Sequence, residues 1–508
     1  MIILENYNAW CMFLNLTDEL IPVNDSSHYD RQIAFLDDFF KTASKNNLLS
    51  LSSDTLNQMR IRIRSALNDL LVWGRPHLAK TRGLQWPYEK CVLLAPELER
   101  VYQQQTNKSA QKQALLFLSF LPVPNQWRWL AKAIDTLADD PEIIDFLTTE
   151  QQTIQSKLLD KSQSTFRLRH FVQILKSPRL PDEKGVLRIF SLPYLFSDKK
   201  LLKKISEHYV FYLEPPMGVV FRHAWWRTFT EFEDPCIFGL GGEEDRRFVA
   251  MQANTHVLPL AHGDFLQDVA PPNPSVPKDI DIVFNATFDD IPRKRHGFML
   301  ELLNDRRLLT KNALILGRGA HRNVESFKNM VEQRGLTDRV TVLSNLRRQE
   351  MPMYLARCRT GVHLSLYENS CRCIYEFFRA DIPCVISAAT AGMDMTIFNS
   401  QTGQAGDDDQ LPEIIDRVLS QHTSYSPRKW FLTHSGSRHA SRKLNENLIN
   451  FFSQNGYIWQ NDIVPLDSSG ASRYLKKAHY HHFLPEFRQL LAWMKPSVPA
   501  AINLTVDE

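Results

Sequence analysis

Two glutamates, Glu368 and Glu376, stand eight residues apart in the stretch TGVHLSLYENSCRCIYEFFRADIPCVIS, residues 360–387. Ionised carboxylates accept charge-assisted hydrogen bonds, so paired acids are candidate binding or acid–base groups. Spacing alone decides nothing. At average glutamate usage of roughly 6%, a chain of this length holds one or two such pairs by chance, and Glu89/Glu97 and Glu142/Glu150 share the interval. Context separates the third pair. Residues 361–366 alternate and close as a strand, Glu368 follows in the loop past its carboxyl end, and Glu376 falls on the next amphipathic helix. Only this pair borders the place where open α/β sheets hold ligands.

A ligand carrying phosphates also needs cations or amide-lined turns. Arg293-Lys294-Arg295 follows the apolar run DIDIVFNAT, and Gly317-Arg318-Gly319 follows NALILG. A lone G-x-G is a weak signal. Asn345 opens the loop after RVTVLS, and Asn369, Ser370 and Cys371 fill the loop between the glutamates. Three histidines near strand ends, His223, His256 and His262, are the first half's eligible acid–base groups, with His223 in FRHAWW favoured. The GLGG run at 239–242 reads equally as a close-approach turn for acceptor or phosphate and as a plain turn.

The elements that must position these groups follow from periodicity. Residues 1–180 read as mainly helical, with amphipathic stretches DRQIAFLDDFFKTA, LNQMRIRIRSALNDLLVW and HFVQILKS; Trp86-Pro87 is expected as loop and Cys91 to Leu94 as a strand candidate. Residues 181–272 alternate strands (VLRIFSL, YVFYL, CIFGL, THVLPL) with helical patterns, as a parallel β/α half-sheet does. Pro271-Pro272-Asn273-Pro274-Ser275-Val276-Pro277 is an extended linker. Residues 278–455 carry five more strands with helices beginning near Arg295, Asn323, Gln349, Cys371 and Asp409, and residues 456–508 form a tail with a closing helix. The expected architecture is α/β: two Rossmann-like parallel β/α domains facing a cleft, behind a helical N-terminal extension.

The second-domain pattern resembles the retaining, nucleotide-sugar-dependent glycosyltransferases of the GT-B fold, family four (glycosyl transferases group 1). The likeness rests on the strand, the E-x7-E loop and helix, the following apolar strand, and KRHGFMLELL after the first strand. It implies Glu368 facing the donor sugar, Glu376 on the ribose hydroxyls, and the main chain of Asn369 to Cys371 against the sugar. It further implies Lys294 on the diphosphate with Arg293 beside it, Gly317 and Gly319 at a close-approach turn, and Asn345 near the base. By the same likeness a first-domain histidine, here His223, faces the sugar, and the tail crosses back to the first domain. The partners implied are a UDP- or GDP-linked sugar donor and a saccharide or lipid-linked acceptor, with no cofactor and no metal. Where the family usually has glycines between the glutamates, this chain has Asn369, Ser370 and Cys371, and Asp381 replaces the glycine that usually ends the helix. A nucleotide-sugar epimerase and a non-catalytic interaction scaffold are the competing readings.

Composition narrows the field. The 508 residues are 43% apolar and 23% charged with a net charge of +3, which argues against nucleic-acid binding and leaves membrane-surface contact open. No run of 18 apolar residues exists, and the N-terminus has no basic leader pattern, so a cytoplasmic setting, with the inner membrane face as an option, is expected. Seven cysteines without C-x2-C pairs read as reduced thiols. Cys371 and Cys373 are expected on different sides of a helix, Asp279-Ile280-Asp281 at a linker junction rather than on a metal, and His479-Tyr480-His481-His482 on an amphipathic surface segment.

Overall fold

The computed structural model describes residues 25–43, 47–104, 106–157, 164–190, 198–215, 225–468, 474–496 and 502–506. Thirteen strands are numbered along the described chain: β1 (Ser164–Arg167), β2 (Val172–Lys176), β3 (Gly185–Ile189), β4 (Tyr209–Leu213), β5 (Cys236–Gly239), β6 (Thr255–Leu258), β7 (Ile280–Asn285), β8 (Ala313–Gly317), β9 (Val340–Ser344), β10 (Cys358–His363), β11 (Cys384–Ser387), β12 (Gly403–Gly406) and β13 (Ile502–Thr505).

The second domain is built on six parallel strands in the order β12-β11-β10-β7-β8-β9. Its inner strands β8, β10 and β11 and the end of β7 are buried apolar runs covered on both faces by helices, which is why they read as near-continuous hydrophobic segments. The chain starts in the middle, at β7, winds outward through β8 and β9, then returns to β10 on the other side. The direction of winding therefore reverses between β7 and β10, and a crevice opens there beyond their carboxyl ends. The turn after β7 carries Arg293 and Lys294; the turn after β10 carries Glu368.

The first domain is a five-stranded sheet, β2-β3-β4-β5-β6, parallel except for the antiparallel β2–β3 pair. Together the two sheets form a GT-B-like α/β fold with a helical N-terminal region. Two expectations are corrected. HFVQILKS is not a helix but the edge strand β2 with a short 3-10 turn before it; all five β2 residues are buried, so cover on both faces, not a helical stripe, produced its pattern. The strand candidate at Cys91 to Leu94 and the Trp86-Pro87 loop both lie in one helix, Trp86–Gln104, whose second residue is a proline with no amide left to satisfy.

The N-terminal helices are not a separate body. Leu36, Ile63, Leu70, Phe117 and Phe146 share one continuous apolar core with Val172, Leu187, Phe211 and Phe238 of the first sheet. Asp25, Ser52 and Asn107 cap three of these helices by accepting amide hydrogens in the first turn, each cap being worth about 1 kcal/mol. The region also reaches the second domain: Arg75, buried, donates from Nε to the Ala389 carbonyl at 2.6 Å and pairs with Glu244.

The return to the first domain comes before the tail. At Gly436 the chain turns with φ of 86°, and the helix Ser437–Gln454 lays Ala440, Leu444, Leu448, Phe451 and Phe452 against Leu175, Val186, Val210, Tyr212 and Ile237 of the first sheet. The crossing thus falls before this helix rather than at residue 456. Farther on, helices Lys477–His482 and Leu484–Met494 join the first core, and β13 pairs with β1. Asp279 and Asp281 are each engaged by an arginine, Arg357 and Arg359, at 2.5 and 2.7 Å. Among the described residues no helix is long and apolar enough to cross a membrane.

Candidate active site

Residues 291–294 form one helical turn that ends at Arg295 in the left-handed region, φ 59°. That stop turns Arg293 and Lys294 inward at the switch point. Lys294 Nζ hydrogen-bonds Glu368 Oε1. Arg293 donates from Nη1 to Glu368 Oε1 at 3.3 Å and to the Tyr367 carbonyl at 2.9 Å, while its Nε is held by Asp290. His363, the last residue of β10, places Nε2 3.9 Å from the same carboxylate oxygen. Burial by itself raises the Glu368 carboxyl, but Lys294, Arg293 and His363 outweigh it and bring it down to about 2. The site therefore keeps a nearly buried carboxylate ionised, with a side chain only 12% exposed. Nearby, Arg295 makes a two-pronged pair with Asp408.

The helix Arg372–Arg379 is seated by a missing side chain. A Cβ on Gly361 of β10 would come 2.4 Å from Phe377 Cδ2, so glycine there lets Phe377 lie directly on the strand. Cys373, four residues earlier and on the same face, meets His363. One step round, Glu376 points toward the crevice with its side chain 13% exposed. Its contacts are thin: Arg372 Nε at 3.3 Å, and Asn285 Nδ2, at the carboxyl end of β7, at 3.5 Å. Glu376 thus keeps acceptor capacity for a further donor. Asp381 ends the helix with φ 57°, as its tolerance of the left-handed region allows.

Between the glutamates, Asn369 and Ser370 do something the spacing did not reveal. Asn369 Oδ1 accepts from the Gly241 amide at 2.9 Å, and its Nδ2 donates to the Pro215 carbonyl. Ser370 Oγ accepts from the Gly263 amide at 3.1 Å. The loop is a tether to the first domain, and the non-glycine residues supply the side chains that make it. The GLGG turn completes the seam: a Cβ on Gly241 would lie 2.6 Å from the Gly392 carbonyl, and one on Gly242 2.7 Å from Gly392 Cα. Main-chain amides of the loop are engaged as well, Ser370 by the Gly392 carbonyl at 3.3 Å and Cys371 by Met393 Sδ at 3.1 Å. A sugar seated against this backbone would displace those bonds. Tyr375 adds a further cross-domain bond, donating to Asp264 Oδ1 at 3.0 Å; burial pushes the Asp264 carboxyl up to about 6 against the Ala261 and Tyr375 donors.

The remaining candidates fall in different places. Gly317 and Gly319 are explained inside their own domain, since Cβ atoms there would meet the Ala286 carbonyl at 2.0 Å and Phe288 Cβ at 2.7 Å; the close approach is to the turn after β7. Asn345, φ 55°, clamps that G-x-G through both side-chain atoms, Oδ1 to the Gly319 amide and Nδ2 to the Gly319 carbonyl. His223 lies outside the described residues. His256 packs edge-on against Phe451 of the crossing helix, 5.4 Å between centroids, and burial lowers its pKa. His262 stands beside Gly263 at the seam, its ring 6.1 Å from that of Phe190.

Cys371 and Cys373 do not face different sides. Their sulfurs are 3.1 Å apart, and Cys373 Sγ is 3.6 Å from His363 Nδ1. Cys371 is the residue before the helix, with φ −70° and ψ 114°, so the 100° helical step that would separate i and i+2 does not apply to it. Sequence reasoning missed His363, which sits at the end of an apolar strand and carries no local signal.

No curated protein matches this chain. Solved structures that resemble it include S. aureus TarM, as a mutant in complex with fondaparinux, alpha-GlcNAc-glycerol and UDP (13% identity, 52% of this chain and 55% of that one, TM-score 0.41). Others are the lipopolysaccharide outer core galactosyltransferase WaaB in its apo form (14%, 52% and 75%, 0.42) and Anabaena Alr3699/HepE in complex with UDP (15%, 52% and 78%, 0.42). The chain spans about half the length of the TarM structure. Residues 280–429, which contain β7 to β12, Lys294 and both glutamates, match the family described as Glycosyl transferases group 1.

Proposed function

We propose that this protein is a retaining glycosyltransferase that moves a sugar from a UDP- or GDP-linked donor to a saccharide or lipid-linked acceptor, in the cytoplasm or at the inner membrane face. The observation that carries the reading is the Glu368 carboxylate, held ionised by Lys294 and Arg293 at the β7/β10 switch point. Breaking a sugar–diphosphate bond develops positive charge on the sugar ring and negative charge on the leaving diphosphate. Fixed groups of opposite sign placed where those charges grow lower the barrier without reorganising. In this reading Lys294, with Arg293 behind it, lies against the diphosphate, and Glu368 faces the sugar. Glu376 holds the ribose diol, and Asn345 with the Gly317-Arg318-Gly319 turn lines the nucleotide end. His223 faces the sugar from the first domain, and the transfer itself is assigned no metal. The match of residues 280–429 to glycosyl transferases group 1 supports the same donor class.

Calorimetry and thermal-shift measurements with UDP, GDP and a panel of their sugars test the reading. Binding of one nucleotide sugar, and turnover only when an acceptor saccharide is added, is the expected result. Consumption of the donor alone would transfer the protein to the epimerases. Absence of any nucleotide binding would leave an interaction scaffold.

A further inference from the structure

Immediately behind Glu368 lie three groups that sugar transfer does not use. The sulfurs of Cys371 and Cys373 and a ring nitrogen of His363 lie within 4.8 Å of one another, and His363 is 2% exposed. They come from two elements fixed independently: His363 from the end of β10, the cysteines from the start of the helix that Gly361 seats on that strand. The geometry points to a binding site for a thiophilic divalent cation of the zinc class, held by His363 Nδ1 and the two thiolates.

The distances suit the chemistry. In a tetrahedral zinc site with ordinary bond lengths, sulfur and nitrogen ligands are separated by about 3.6 Å and two sulfurs by about 3.7 Å. The Cys373–His363 separation is 3.6 Å. The two sulfurs, at 3.1 Å, would open by roughly 0.6 Å to reach the tetrahedral spacing, which a χ1 adjustment of Cys371, outside the helix, supplies. Thiolates and imidazole together select zinc-like metals over magnesium or calcium. The other side of the imidazole strengthens the assignment. His363 Nε2 has no hydrogen-bond partner among the described residues and stands 3.9 Å from Glu368 Oε1, which leaves it free to carry the ring proton while Nδ1 takes the metal. A metal here would stand outside the donor crevice. It would stiffen the start of the helix that carries Glu376 and the loop that ties the two domains.

The site can be tested with the metal alone. Full-length protein loaded with zinc sulfate, desalted under reducing conditions and analysed for metal should retain about one equivalent, held by two thiolates and one imidazole with water in the fourth position. Cys371→Ser/Cys373→Ser and His363→Gln should lose it, whereas Cys91→Ser, at a buried cysteine in the helical region, should keep it. Cobalt in place of zinc should give a thiolate-to-metal charge-transfer band that the double variant lacks. Should a variant fail to fold, the cobalt band of the parent protein still decides. Equal zinc in parent and double variant, no thiolate–cobalt band in the parent, or two sulfurs recovered as a disulfide from the reduced protein would each overturn the assignment. None of these readouts depends on sugar transfer.

Discussion

Replacing Glu376 by alanine separates ligand binding from folding, because the carboxylate contributes little to the fold and much to the proposed donor site. Its contact with Arg372 is an i,i+4 pair at 3.3 Å, and its contact with Asn285 is 3.5 Å long. An i,i+4 pair whose arginine is partly solvated stabilises by on the order of 0.5 kcal/mol, and a hydrogen bond at that length adds little. The variant should therefore melt within about 1–2 °C of the parent, since 1 kcal/mol moves the midpoint of a large domain by only a few degrees. A charge-assisted hydrogen bond to a ribose hydroxyl is worth about 1.5 to 3 kcal/mol, so its loss should weaken nucleotide binding about tenfold to a hundredfold. The ribose belongs to the nucleotide, so the deficit should appear with UDP or GDP alone and not grow when a sugar is attached. Glu376→Gln, which keeps an acceptor without the charge, should fall between. Isothermal calorimetry on parent and variants, with melting curves alongside, measures both quantities. An affinity within twofold of the parent would refute the assignment of Glu376 to the ribose, and so would a loss that tracks a large fall in melting temperature.

Lys294→Met should leave Glu368 with Arg293 as its remaining close cation; breaking a buried pair costs about 3 to 5 kcal/mol, so lower stability and weaker diphosphate binding are expected together. Glu368 is depressed from 4.5 to about 2, so its stabilising contribution is complete above pH 4.5 and is lost as the pH falls through 2; acid unfolding of the Lys294→Met variant should begin at higher pH than in the parent. Asp264 titrates in the opposite sense. Its carboxyl is raised from 3.8 to about 6, so the folded state holds a proton the unfolded chain has released, and stability should decline as pH rises from about 4 to 6; a pH series of denaturant melts in which Asp264→Asn shows the same slope as the parent would count against it. Asn369→Ala removes the side-chain bonds to Gly241 and Pro215 across the seam and should loosen the domains, read as faster amide exchange at residues 239–242; unchanged exchange would deny the tether.

The second domain was legible because its inner strands are buried on both faces and therefore spell apolar runs, and because Glu368 and Glu376 fall on opposite sides of a loop-to-helix boundary that periodicity locates. β12, the sequence GQAG, carries no such run and was missed. β2 was misread for a different reason: covered on both faces, HFVQILKS has neither period 2 nor a clean 3.6, and a short apolar run does not distinguish strand from helix. The inward turn of Lys294 depends on Arg295 adopting positive φ, which no residue type there announces. Cys371 and Cys373 meet only because the helix starts one residue later than a helical reading of both would need. What Asn369 and Ser370 do could not be read locally at all, since their partners, Gly241 and Gly263, lie more than a hundred positions away in the chain.

The helix Ser437–Gln454 has a practical consequence. Although the proline stretch at 271–277 looks like a natural place to divide the molecule, a piece ending there would lack the layer that covers one side of its own sheet, and a piece starting there would carry Leu444, Leu448, Phe451 and Phe452 with nothing to cover them. Nicking at the prolines should therefore leave two fragments that co-elute, and expressing either half alone should yield insoluble material. The parts on either side of the prolines must be made as one polypeptide, or at least in one another's presence, for either to fold.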